Sequence, residues 1–392
     1  MSDIAPQNFA ELEQAMSAIV GDKTPVEITA LGTKTGLGRP SEIDHRLDVS
    51  ALSGVIDYEP EELIITAHAA TPLAEIEALL AKHHQMLAFE PPHFDSLYHS
   101  ASTGSLGGAL MANLSGPRRL SQGAARDFLL GFQGVSGRGT SFRSGSKVVK
   151  NVTGYDLSKL LCGSFGTLAV LDEVTLKTLP APETSVSLLI ASPKLDEAAA
   201  AARAALKSAF EPSATAILPK GAHRLSQNAA IAIIRLEGVA ISVADRFEKL
   251  KQELSTFGHA DRLEQEDSEA LWCDIRDVAP IRDAKGQIWR ISVAPSRGPA
   301  LLEQLQDKLG AQGYFDWAGG LLWLSCDEPE AHKTIRGGVA SSGGGHATLM
   351  RADDALRRDV PIFEPLPHAL AQLNKRIQDA FDPYGLLNPG RL

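Results

Sequence analysis

Only three cysteines occur in 392 residues, Cys162, Cys273 and Cys326, and they lie far apart. There is no CxxC pair and no histidine at zinc-ligand spacing, so no metal site and no iron–sulfur cluster is expected within this chain. Nor is there a run near the roughly 20 apolar residues that a membrane span needs. The N-terminus, MSDIAPQNFAELEQAMSAIV, lacks a basic leader ahead of an apolar stretch and reads as an amphipathic helix. Cytoplasmic location is therefore the expectation, and the sequons at Asn113 and Asn151 carry no weight. Positive charge is in deficit: 38 Lys and Arg stand against 48 Asp and Glu, a formal net charge of −10. A binder of polyphosphate needs a basic surface, so nucleic acid is not an expected partner.

What is present is glycine in clusters. The strand-like Pro25–Ala30 runs into LGTKTGLGRP, residues 31–40, where Gly32, Gly36 and Gly38 alternate with Thr33 and Thr35. Backbone N–H groups in such a loop can converge on a diphosphate, with Lys34 adding charge. The spacing is GxxxGxG, neither the GxGxxG of a Rossmann site nor a Walker loop, and a plain surface turn fits it as well. From residue 46 to 90 the order reads strand, strand, helix, strand, with Thr71 as helix cap and Pro72 in the first turn. His68, His83 and His84 sit at element ends.

A second cluster follows in residues 101–137. Ser105, Leu106, Gly107 and Gly108 start a helix where small residues let backbone approach either a ligand or a packed sheet. Arg118 and Arg119 suit solvent, or a phosphate or carboxylate. Ser141–Val149 reads as a strand. The third cluster, Gly163, Ser164, Gly166 and Thr167, is a GSxGT corner between a helical run (Leu157, Leu160, Leu161) and a strand carrying Leu168, Val170, Val174 and Leu176. It is either a helix stop with a turn or the wall of a site for a flat or anionic ligand.

At 392 residues two domains, or one interrupted by another, are expected. Pro180 and Pro182 mark a boundary, beyond which strands and helices alternate as two strand–helix–strand–strand units on one sheet. The terminal DPYGLLNPGRL is too apolar for a loose end, which places it back on the first domain. The expected division is 1–181, in two subdomains of about 1–95 and 96–181, then 182–365, with 366–392 returning.

Several segments carry a family resemblance: LGTKTGLGRP (31–40), QMLAFEPPH (85–93), GALMANLSGPRRLSQGAARDFLLG (108–131), the run KNVTGYDLSKLLCGSFGTLAVLDEVTL (150–176), WRISV (289–293), GGHAT (344–348) and DPYGLLNPGRL (382–392). Through them the chain resembles the FAD-binding subunits of bacterial glycolate oxidase (glycolate dehydrogenase), within the vanillyl-alcohol-oxidase, or PCMH-type, flavoproteins. The resemblance implies an α+β fold: a PCMH-type FAD-binding domain of two α+β subdomains with an inserted ferredoxin-like α/β cap. It implies FAD in an extended pose. Gly32, Thr33, Lys34, Thr35 and Gly36 match the loop on the pyrophosphate. Ser105, Leu106, Gly107, Gly108 and Asn113 match the segment around the ribityl chain and isoalloxazine. Gly163, Ser164, Gly166, Thr167 and Val170 match the corner under the flavin and adenine, and Asn388 matches a tail residue that closes the site. Ala30, Leu31, Phe165 and Ala169 depart from the wider pattern. No histidine lies in 31–40, so non-covalent FAD is expected.

Oxidising a 2-hydroxy acid needs a hydride acceptor, a base for the hydroxyl proton and cations for the carboxylate. The related catalytic subunit carries a histidine-rich metal-binding pattern in its cap, and this chain does not. Its catalytic candidates are His346, with Arg290 and Arg351 as carboxylate partners; Lys150 and Tyr155 are candidates for the flavin wall. Three readings stand. One is the FAD-binding subunit of a complex that oxidises glycolate to glyoxylate. Its partners are a catalytic FAD subunit and an iron–sulfur subunit that carries electrons to a membrane quinone, with only peripheral membrane contact through them. The others are a non-catalytic assembly subunit and a free-standing FAD-dependent 2-hydroxy-acid oxidase.

Overall fold

The structure, a computed structural model, describes residues 2–145 and 155–392. Lys150, Asn151 and the end of the expected strand 141–149 lie outside them. Contacts divide the chain into two compact units, Met1–Ser115 with Gly123–Ala181 and Pro365–Leu392, and Gly116–Gln122 with Pro182–Glu364. The short Gly116–Gln122 segment groups with the second unit, away from its sequence neighbours.

The first unit is built on a five-stranded antiparallel sheet in the order Val55–Glu59, Ile64–His68, Ala169–Lys177, Leu129–Ser136, Ser141–Gly145. A smaller parallel sheet joins Ser2–Ile4, His45–Asp48 and Glu27–Thr29. The central strand Ala169–Lys177 is covered on both faces, which explains its dense apolar character. Ala169, Leu171 and Val174 enter one core with Leu73, Ile76, Leu80, Phe89 and Leu110. Val170 enters another with Leu12, Met16, Val26, Leu47 and the tail residues Leu386 and Leu387. Gly134, on the neighbouring strand, has no room for a side chain: a Cβ there would lie 2.4 Å from the Val170 carbonyl.

Two local expectations change. Thr71 does not cap the helix Leu73–Lys82, whose N-cap position is Pro72. Its hydroxyl donates to the His68 carbonyl at 2.7 Å and accepts from the Gly54 amide at 2.9 Å, fastening the strand end. The Leu73 amide is satisfied instead by the Gly104 carbonyl. Beyond Leu80 the expected strand 85–90 shortens to Gln85–Met86, because Leu87–Phe89 turn inward as core.

The second unit is one eight-stranded antiparallel sheet, ordered His259–Leu263, Thr184–Ser192, Ala230–Gly238, Ala214–Leu218, Gln312–Asp316, Leu321–Cys326, Gln287–Val293, Gly345–Arg351. In chain order this is two ferredoxin-like strand–helix–strand–strand–helix–strand repeats, meeting edge to edge between Ala214–Leu218 and Gln312–Asp316. Helices Leu195–Lys207, Ala240–Glu253, Gly298–Leu309 and Ala331–Ser341 supply the core on one face. The alanine run is a packing device: Ala198, Ala199, Ala201, Ala202 and Ala205 are all fully buried. On the other face lies the helix Gln265–Arg276, whose Trp272 Nε1 donates to Ser187 Oγ at 2.8 Å.

Arg118 and Arg351 receive definite roles. Arg118 pairs with Glu237 through Nε at 2.9 Å and Nη2 at 2.5 Å, a two-pronged contact that fixes the Gly116–Gln122 segment within this unit. Arg351 donates to the carbonyls of Arg282 and Ala284, so it braces a loop and is not the carboxylate partner expected of it.

Candidate functional site

A cavity of about 940 Å³, including its open mouth, lies in the first unit. One wall is the loop after the strand Glu27–Thr29, contributing Ala30 to Thr35 and Leu37. Another is the end of the strand Ile64–His68, where Ala69 and Ala70 follow. Ser105, Gly107, Gly108, Met111 and Ala112 form the third, Phe165, Gly166 and Ala169–Leu171 the fourth, and Asn388 and Arg391 close from the tail.

Small residues are required here by backbone proximity. The Gly107 amide donates to the Ala69 carbonyl at 2.7 Å, and a Cβ on Gly107 would sit 2.8 Å from that oxygen. Ser105 caps the short helix Leu106–Met111 by accepting from the Gly108 amide at 3.2 Å. In the GSFGT corner Phe165 and Gly166 both take left-handed backbone, at φ +54° and +72°. That turn aims the Phe165 carbonyl at Asn388, whose Nδ2 donates to it at 2.8 Å. Asn388 Oδ1 accepts from the Ile28 amide at 2.7 Å, and Arg391 Nη2 donates to the Lys34 carbonyl at 2.6 Å.

Among the described residues, three charged side chains line the cavity: Glu27 and Arg391, which pair with each other at 3.7 Å, and Lys34. Burial lowers the Lys34 ammonium from the usual 10.5 to about 8. Among the described residues no carboxylate pairs with it. Around it the floor is apolar: Ala69, Ala70, Met111, Ala112, Val170. A desolvated cation above a small-residue floor suits a ligand that is anionic at one end and flat and apolar at the other.

Of the expected cofactor residues, Gly32, Thr33, Lys34, Thr35, Ser105, Gly107, Gly108, Gly166, Val170 and Asn388 line this cavity. The others do not. Gly36 packs under Tyr98, whose Cδ1 would lie 2.5 Å from a Cβ there. Leu106 is core. Asn113 turns to the Arg126 amide, Ser164 to Met111 Sδ, and Thr167 to the Ser164 carbonyl. Gly163, at φ +90°, serves the turn beside Asn113. Tyr155 is 91% exposed.

Ala112 was expected from sequence as a small residue admitting a ligand, and it lines the cavity; sequence reasoning missed Ala69, Ala70, Met111 and Arg391. Arg391 carried a signal, a cation in a tail already judged to be docked; the alanines and the methionine had none.

His346 and Arg290 belong to the second unit, on the neighbouring strands Gly345–Arg351 and Gln287–Val293. Burial, then the charge of Arg290, lowers the His346 pKa, so the imidazole is neutral at pH 7. Burial, then Arg119, lowers Arg290 to about 10.

Residues 3–145 match a family described as an FAD binding domain. The chain is 36% identical over 386 residues to glycolate oxidase subunit GlcE of Escherichia coli (strain K12), spanning 98% of this chain and 96% of that protein. To glycolate oxidase subunit GlcD of Bacillus subtilis (strain 168) it is 31% identical over 198 residues, 50% of this chain and 40% of that one. Among solved structures, p-cresol methylhydroxylase with substrate bound matches with a TM-score of 0.74 at 14% identity, covering 99% of this chain and 88% of that one. At that identity the likeness speaks for the fold alone.

Proposed function

The chain belongs to the family of glycolate oxidase subunit GlcE, and from that premise we propose that it is the FAD-binding subunit of a complex oxidising glycolate to glyoxylate. The observation that carries the reading is Lys34: a desolvated ammonium that no carboxylate pairs among the described residues, since Glu27 in the same lining pairs with Arg391, in a cavity whose walls hold Gly32, Gly107, Gly108 and Gly166 beside small and apolar side chains. FAD fits such a wall, since its diphosphate supplies the missing countercharge and its ring system the flat apolar part. When bound, FAD supplies the acceptor for the hydride leaving the α-carbon of the acid.

The chain's own residues divide the remaining tasks. Gly32–Thr35 offer backbone amides and the Lys34 cation to the diphosphate; Ser105, Gly107 and Gly108 let backbone approach the ring; Gly166, Val170 and Asn388 close over it. Among the described residues, those lining the cavity include no histidine, cysteine or tyrosine to which a flavin attaches, in keeping with non-covalent FAD. We assign 1–181 with the returning tail to FAD and 182–365 to the cap. His346 and Arg290 are retained as the cap's contribution to acid recognition.

The electrons leave through an iron–sulfur subunit, and a GlcD-like subunit carries the main catalytic site. One surface supports a partnered chain. The helix His368–Phe381 has no buried residue. Leu366, Leu370 and Leu373 are about half exposed, at spacings of four and three, while Ile377 and Phe381 pack against the first unit's core; the exposed leucines form a short apolar stripe that a second helix fits. Among the described residues no helix is long and apolar enough to cross a membrane; in the proposed complex, membrane contact is peripheral, through the partner subunits, on the cytoplasmic side.

The assembly-subunit reading has one observation in its favour: among the described residues no imidazole lines the cavity to take the hydroxyl proton. Anaerobic addition of glycolate to the purified chain and to the co-purified complex separates the two. Flavin bleaching of this chain's FAD in the complex supports the electron-path reading; FAD that stays oxidised while the complex turns over identifies an assembly subunit. Bleaching in the isolated chain identifies a free-standing oxidase.

A further inference from the structure

The sheet of the second unit presents two faces at its later repeat. Trp289, Ile291 and Val293 point into the helix-covered core. Arg290 and Ser292 therefore point the other way. Directly paired antiparallel residues share a face, so Thr348, opposite Arg290, and His346, opposite Ser292, join them. The helix Gln265–Arg276 occupies this face at Ser187 and Arg235, but His346 is exposed and Arg290, Ser292 and Thr348 are part-exposed.

Three features mark this patch. The Arg290 guanidinium makes no hydrogen bond or close ion pair among the described residues, although the Asp316 carboxylate favours its charge from farther off; its ring contact is Trp317, 5.1 Å from the centroid. Arg119 lies over the same ring at 5.0 Å, gathering two cations at one indole although the charge of Arg119 lowers the hold of Arg290 on its proton. Trp317 is held in left-handed backbone, φ +54°, and so is Ala318 at +55°. A bulky residue in that conformation is strained unless its surroundings impose it. Here they do: Asp316 Oδ1 accepts from the Trp317 amide at 2.7 Å, and Trp317 Nε1 donates to the Gly116 carbonyl at 3.2 Å. The chain thus spends strain to present the indole that carries Arg290.

We propose that Arg290, His346 and Thr348 form a binding site for a small carboxylate bearing an oxygen on its second carbon, a 2-hydroxy or 2-oxo acid. The planar edge of the guanidinium matches the two carboxylate oxygens. The neutral imidazole and the threonine hydroxyl, one strand over, are suited to the second-carbon oxygen, because each can donate or accept. Ring stacking fixes the plane of Arg290 without using its five N–H donors. The choice of acid rests on the glycolate oxidase reading; the anion site itself rests on the unspent guanidinium.

Isothermal titration of the purified full chain with oxalate, which offers no hydride to the flavin, tests this. Saturable binding is expected, with propanoate, which lacks the second oxygen, several-fold weaker. Arg290→Gln should weaken oxalate binding by about tenfold or more, the scale of a lost charge-assisted pair, with flavin content and melting temperature unchanged. Arg290→Lys, which keeps charge but loses the planar edge, should recover only part, and Thr348→Val should narrow the gap between oxalate and propanoate. No oxalate binding by the wild type, unchanged binding by Arg290→Gln, or tighter binding of inorganic phosphate than of oxalate would each overturn the site. Flavin absorbance of the same samples keeps the readings apart: a flavin-loaded chain that ignores oxalate refutes this inference alone, and a flavin-free chain that binds oxalate refutes the FAD reading alone.

Discussion

The Asn388 side chain joins two walls of the cavity that lie far apart in sequence: its Nδ2 donates to the Phe165 carbonyl at 2.8 Å across 223 residues, while its Oδ1 accepts from the Ile28 amide at 2.7 Å. A tail residue thus fixes both the GSFGT corner and the strand feeding the glycine loop. Asn388→Ala removes both bonds and leaves partly buried backbone groups unpaired, a loss of about 1–3 kcal/mol. Faster release of FAD on dilution, followed by flavin fluorescence, and a lower melting temperature are the expected outcomes. Asn388→Asp should restore the bond from Ile28 and not the one to Phe165.

Gly166 gives a sharper version of the same claim. Its φ is +72°, and a Cβ there would come 2.7 Å from Asn388 Nδ2. Gly166→Val should therefore abolish FAD retention while the far-ultraviolet circular dichroism stays native. Unchanged flavin occupancy would show that this corner is not part of the cofactor wall.

Lys34 makes FAD affinity depend on pH. Its free-state pKa is lowered to about 8 by burial, so between about pH 8 and 10.5 the unfolded chain holds a proton that the folded apoprotein has lost. The slope of stability follows protons bound by the unfolded state minus those bound by the native state, so this group makes the apoprotein more stable as pH rises through that window. A bound diphosphate favours the charged ammonium and draws the pKa back up. FAD affinity should fall as pH rises above about 8, and Lys34→Gln should bind FAD more weakly and without that dependence. A parallel pH profile in Lys34→Gln would contradict the assignment.

Within the second unit, burial pushes the Glu237 carboxyl up, but Arg235 and Arg118 together outweigh it and hold the group near 2. A depressed carboxylate contributes stability above its unfolded pKa that is lost as pH falls through the folded one, so the pair holds at neutral pH and fails only in strong acid. Removing one partner strands a buried charge at a cost of about 3–5 kcal/mol. Arg118→Ala should lower the melting temperature by several degrees and expose the Gly116–Gln122 segment to proteolysis.

The partner claim turns on the exposed leucines. Leu370→Glu with Leu373→Glu should leave FAD content and folding intact, since neither side chain is buried, while the other subunits no longer co-purify. Retention of the full complex would place the interface elsewhere.

The parts of the site legible in sequence were those where backbone does the work. Glycine marks positions that must turn left-handed or admit close approach, so the loop at 32–35, Ser105 with Gly107 and Gly108, and Gly166 stood out and line one cavity. The same signal misled at Gly36 and Gly163, where glycine serves an aromatic contact and a turn. Ala69, Ala70 and Met111 look like ordinary core residues, and only the geometry of the strand end turns them toward the cavity. The helix Gln265–Arg276 was hidden by its charged first turn, although Leu271, Trp272 and Ile275 bury one side of it. Thr71 read as a helix cap because the local pattern is right; two bonds to the strand end outcompete that role.

The central claim, that the first unit's cavity holds FAD without a covalent bond, is tested most directly by the flavin content of the purified chain before and after acid precipitation. About one FAD per chain is predicted, released to the supernatant by acid, with added FAD raising the melting temperature of any flavin-free fraction. A chain with no flavin and no thermal response to FAD, or flavin that stays in the acid pellet, would contradict it.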